Sequence, residues 1–133
     1  MNRARTGAAS AQAGSAVVDF VLVGALVCVL FAALLQLGLA LHVRNTLTWA
    51  ASEGARAGSR MDAAPEDGAR RTRELITESL SGQYATDVTT SRRVEGGVAI
   101  VEIRVQAPIP VLGLWGPPDM VTTRGRAFAE DQR

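Results

Sequence analysis

The sequence predicts an α+β protein: a long N-terminal transmembrane helix that continues into a small head with one further helix and a roughly three-stranded antiparallel sheet. Three observations carry this reading. No polar side chain interrupts the run from Phe20 to Leu35. Beyond it, Leu47, Ala50, Ala51, Gly54, Ala55 and Gly58 recur at three- and four-residue steps, the spacing of one helix face. From Asp87 onward the period shortens to two, as a half-buried strand requires.

Residues 1–14, MNRARTGAASAQAG, read as a leader: small and polar, with positive charge from the amine, Arg3 and Arg5, and no acid before Asp19. The leader is expected on the cytoplasmic side and the head outside, against a shallow charge contrast set by Arg44, Arg56 and Arg60. The same leader arginines also fit the basic start of an ordinary signal peptide.

The span is assigned to residues 15–43. As a helix, Phe20 to Val43 is roughly 36 Å long, enough for a hydrocarbon core of about 30 Å with some tilt. Gln36 breaks the apolar run once, and the first full charge beyond it is Arg44. Asp19 stands at the near border, where an acid has a cost. At a bilayer centre a carboxylate is disfavoured by ~2.5 to 3.5 kcal/mol on insertion scales, less near the interface, so its placement asks for a partner. Were the chain cut after Gly14, the new amine of Ser15 would lie about one helical turn from Asp19.

The head, residues 44–133, begins with the continuation of this helix over 44–60. Its face of Ala50, Gly54, Ala55 and Gly58 lets another backbone approach closely; alternatively, Gly54 and Gly58 merely loosen the helix end. A second helix is predicted over 65–81. Pro65 suits its first turn, Glu66 and Asp67 its positive end, Leu75, Ile76 and Leu80 supply an apolar stripe, and Gly82 stops it. The four-step pairs Glu66 to Arg70, Asp67 to Arg71 and Arg70 to Glu74 make Arg70, Arg71 and Arg73 a solvated, self-neutralised face.

Strands follow at about 87–94, 98–107 and 121–129, with Glu95-Gly96-Gly97 as the hairpin turn between the first two. In the second strand Val101, Ile103 and Val105 form the core-facing set, and the carboxylates read as surface charges. Pro108 and Pro110 end pairing. The loop from Pro108 to Pro118 is unusually apolar: Val111, Leu112, Leu114 and Trp115 either fold back on the sheet or meet a partner, with Trp115 as the anchor.

Several function classes find no support. Net charge is +1, and every basic residue is arginine, so composition gives no reason to expect nucleic acid. The single cysteine, Cys28, lies in the span, so the head has no disulfide. The single histidine, His42, sits at the membrane exit and reads as an interface residue. With no Cys/His cluster, phosphate loop or Ser/His pair in the head, no catalytic, metal-binding or cofactor-binding residue and no small-molecule substrate is expected.

A short basic leader ending in Gly14, then Ser15-Ala16-Val17-Val18-Asp19-Phe20 and a long apolar helix, resembles the type IV pilin class. Within that class the chain resembles the TadE-like family of pseudopilins from tight-adherence (Flp) pilus systems. The more telling stretch is Arg44-Asn45-Thr46-Leu47-Thr48 leading to Ala50-Ala51-Ser52-Glu53-Gly54-Ala55-Arg56-Ala57. Asp19 stands where that family usually has Glu, and the proline often found inside its helix is absent.

The resemblance implies a pilin-like fold, cutting by a prepilin peptidase between Gly14 and Ser15, and a minor pilin or pseudopilin in the bacterial cell membrane. Its implied partners are the membrane, the peptidase, other pilins and the pilus assembly machinery, with Asp19 pairing charge during assembly. The competing reading is a single-pass anchored or signal-cleaved binding module. Gly38-Leu39-Ala40 offers small residues where signal peptidase reads, although the apolar stretch exceeds the ~7 to 15 residues of a usual signal core.

Overall fold

The computed structural model of the chain describes residues 6–108 and 120–129. It shows the expected α+β architecture: helix α1 (Thr6–Gly58), helix α2 (Pro65–Ser79), a short 3-10 turn (Gly82–Ala85), and strands β1 (Asp87–Glu95), β2 (Val98–Pro108) and β3 (Met120–Phe128). The chain divides into two compact units, Met1–Leu37 and Gly38–Arg133. The loop carrying Val111, Leu112, Leu114 and Trp115 lies outside the described residues.

In the first unit, α1 is apolar on all sides. From Gly14 to Leu35 every residue is exposed, Phe20 at 80%. A helix of this kind has no stable place in water and calls for lipid or other apolar helices. By length and composition, Gly14–Gly58 can cross a membrane. The helix also begins earlier than the Ser15 start the sequence predicts, because nothing in the leader from Thr6 onward, proline least of all, stops it.

In the second unit, the rest of α1 changes character, burying Val43, Leu47, Ala50, Ala51 and Ala55. It is packed on two sides. Toward α2, a Cβ built on Gly54 would strike Thr72 Oγ1 and the Gly68 carbonyl, and one on Gly58 would come within 3.2 Å of the Gly68 Cα. Toward the sheet, a Cβ on Gly125 of β3 would fall on the backbone of Ala51 and Ser52. Three element surfaces therefore meet at van der Waals distance only because these positions lack side chains.

Helix α2 starts at Pro65, whose missing N–H is one the helix leaves unpaired anyway. The Asp67 carboxylate accepts the Ala64 N–H at 2.9 Å and pairs with Arg70 at 2.8 Å. Those two donors hold the Asp67 carboxyl below its ordinary range. Two of the four-step pairs expected from sequence are replaced. Asp67 meets Arg70 rather than Arg71, and Arg71 meets Glu74 at 3.3 Å, while Arg70 lies 4.0 Å from Glu74. Arg73 is exposed, as expected, and it also donates to the Val88 carbonyl of β1 at 2.9 Å, tying the helix to the sheet.

The sheet has the order β1-β2-β3, antiparallel throughout. Gly96 and Gly97, at φ 61° and 83°, make the two-residue turn, whose left-handed backbone matches the twist of the flanking strands. Val101, Ile103 and Val105 face the helices and are buried, as their alternation predicts. On the opposite face Glu102 departs from expectation. It is not an ordinary surface charge but only 3% exposed, covered by the side chains of Arg93, Arg104 and Arg126.

Burial opposes ionisation of Glu102. The hydrogen bond from Arg126, reinforced by the charges of Arg93, Arg126 and Arg124, more than offsets this and holds the carboxyl below its ordinary range.

Candidate processing and assembly site

Gly14, Ser15 and Asp19 lie on exposed helical backbone rather than in a pocket, with Ser15 and Asp19 on one face. Around Gly14 there is open space: a Cβ there would meet nothing within 4 Å. Within an uncut helix the Ser15 carbonyl accepts the Asp19 N–H, so the two side chains lie one above the other. A cut between Gly14 and Ser15 would convert this point into a helix start. The new terminus would carry an ammonium and three further unpaired N–H groups, with the Asp19 carboxylate about one turn away, where negative charge is favoured.

A peptidase acting at Gly14–Ser15 would need about a turn of this helix to open, and Gly, ~1 kcal/mol worse than Ala in a helix interior, lowers the cost of opening there.

Of the packing residues, Ala50, Gly54, Ala55 and Gly58 are all buried. Three of them meet α2. Thr72 Oγ1 lies 2.9 Å from the Gly68 carbonyl and 3.4 Å from that of Ala50, so one hydroxyl proton serves a site between two helices. Their small size is thus used inside the head. Sequence reasoning named this side of the contact and missed the other, Gly68 and Thr72, although their four-residue spacing on α2 mirrors that of Gly54 and Gly58. It also missed Gly125, whose signal was a glycine between two arginines in an otherwise regular strand.

Beside this contact a groove runs between Trp49, Glu53 and Arg56 on α1 and Asp67, Arg70 and Glu74 on α2. Its charges are paired locally, Arg56 with Glu53 at 2.9 Å and Arg70 with Asp67 at 2.8 Å. Among the described residues no three His, Cys, Asp or Glu side chains are grouped to hold a metal ion.

Residues 14–56 match the family model described as TadE-like protein. The match opens on Gly14 and closes inside the small-residue face that packs on α2. No curated protein and no solved structure matches the chain.

Proposed function

From the TadE-like stretch at residues 14–56 we propose that this chain is a minor pilin or pseudopilin of a tight-adherence (Flp) pilus. In this reading a prepilin peptidase removes residues 1–14, the helix from Ser15 holds the mature chain in the bacterial inner membrane, and the head lies on the extracytoplasmic side. Assembly then draws the exposed apolar helix against the helices of other pilins. The chain works by packing and charge pairing, without catalysis.

The observation that carries this reading is the extent of the family match. Residues 14–56 take in both the exposed apolar stretch of α1 that is long enough to span a membrane and the small-residue face that packs on α2. Asp19 then has a role, since a carboxylate in apolar surroundings wants a cation and the freed Ser15 amine, on its own or a neighbouring chain, is the nearest one.

A second reading, a signal-cleaved binding module, has one observation on its side. The second compact unit begins at Gly38, so a cut after Ala40 would release nearly all of it. Intact mass of the chain expressed beside its own prepilin peptidase separates the readings. A mature terminus at Ser15 supports the pseudopilin; one at Leu41 supports the secreted module, and retention of Met1 supports an uncut anchor.

A further inference from the structure

The open face of the sheet is built around an imbalance of charge. Register places Glu102 opposite Arg126, and Arg104 opposite Arg124. The first is a matched pair, with Arg126 Nε 2.8 Å from Glu102 Oε2. The second sets like charges directly across from each other, an arrangement that destabilises a sheet. Glu102 is already shared among Arg93, Arg104 and Arg126, and among the described residues Arg124 has no carboxylate within ion-pair distance. Asp87 and Glu95 stand only at the two ends of β1, away from the Arg104 and Arg124 pair.

Next to these arginines the same face turns apolar. Ile100 lies opposite Phe128, which is 73% exposed, and with Val98 they line a shallow groove between Arg126 on one side and Glu95 on the other. Arg124, Arg126 and Phe128 alternate along β3, so their side chains are spaced ~6.6 Å apart on one face. β3 is also a sheet edge among the described residues, with its outer backbone groups unpaired.

We propose that β3 docks an extended acidic segment of a partner protein as an added strand. That segment carries carboxylates at two alternate positions, facing Arg124 and Arg126, and an apolar side chain at the next alternate position, beside Phe128. The backbone of the edge supplies the hydrogen bonds and the alternation supplies the specificity. Guanidinium groups recognise carboxylates through paired donors, and a carboxylate on the added strand gives Arg124 the partner it lacks. The apolar groove is what favours a protein segment over a lipid headgroup or a simple anion, both of which would leave Phe128 in water. This surface is independent of whether Gly14–Ser15 is cut.

The test uses the full chain in detergent micelles and two end-blocked peptides, Thr-Glu-Thr-Glu-Thr-Leu-Thr and its isomer Thr-Thr-Glu-Glu-Leu-Thr-Thr. The alternating peptide should bind at least about tenfold more tightly than the isomer, and Arg124→Gln should remove most of that difference, a change of the size a charged hydrogen bond gives. Arg124→Gln should leave thermal melting unchanged or raised, because it ends the repulsion with Arg104, and Arg70→Gln on α2 should leave peptide binding intact. Equal binding of the two peptides, or no effect of Arg124→Gln, would overturn the proposal. So would vesicles of phosphatidylglycerol that bind the chain and, through Arg124, compete the peptide away, since the site would then belong to lipid.

Discussion

Arg126 Nε sits 2.8 Å from Glu102 Oε2, and this bond is roofed by side chains rather than sunk in the core: Glu102 is 3% exposed although it points away from the helices. The arginine stems exclude water while their charged heads stay half in it. Removing one partner of such a pair costs more than at an open surface bridge and less than at a fully buried one.

Acid should therefore loosen the head in a defined direction. The folded Glu102 carboxyl titrates below its ordinary value of 4.5, so its contribution to stability is present in full above that pH and is lost as pH falls through the folded value. Asp67 acts in the same sense below its ordinary 3.8. Thermal melting of the full chain in detergent between pH 3 and pH 7 should show the decline, and Glu102→Gln should flatten it while costing about 1 to 2 kcal/mol at neutral pH. A Glu102→Gln chain with the same acid dependence as the parent would reject this assignment.

Glycine position should decide the sign of a Gly→Ala change in α1. At Gly38 a Cβ meets open space, so Gly38→Ala should leave the helix as stable or up to ~1 kcal/mol more so. At Gly54 the methyl group would enter Thr72 and the Gly68 carbonyl, and Gly54→Ala should destabilise the head by about 1 to 3 kcal/mol. Comparing melting temperatures of the two variants checks this, and Gly54→Ala melting at or above the parent would remove the close helix crossing from the account.

Maturation should depend on the small size and weak helicity of Gly14. Gly14→Leu is expected to insert into the membrane yet remain at full length in cells containing the peptidase, whereas Gly24→Leu, equally open to solvent or lipid, should mature normally. Mass spectrometry of membrane fractions reads both. Normal processing of Gly14→Leu would place the cut elsewhere.

Asp19 should matter for assembly and not for the head. Asp19→Asn removes the charge and keeps the shape, so membrane insertion and head melting should be unchanged while recovery of other pilus components with the tagged chain falls severalfold. Undiminished recovery would mean that the acid is simply hydrated among the lipid headgroups.

The sequence by itself determined whatever depends on local pattern. The run from Phe20 to Leu35 is apolar at every step, so it must be a helix outside water. Pro65 fixes a helix start, Glu95-Gly96-Gly97 fixes a hairpin turn, and the alternation of Val101, Ile103 and Val105 fixes which side of β2 is buried. Each of these is settled by neighbours a few residues away, where backbone sterics and side-chain period act alone. The tertiary structure decided which distant residues meet. Nothing near Gly125 announces that its missing side chain makes room for the backbone of Ala51, nor does the Gly54 region name Gly68 and Thr72. The surface reading of Glu102 failed, and the tie from Arg73 to Val88 went unread, for the same reason: one depends on strand register, which brings Arg93 and Arg126 over the carboxylate, and the other on where α2 lies against β1. A charge is exposed or buried according to what crosses it in space, and a linear pattern holds no record of that.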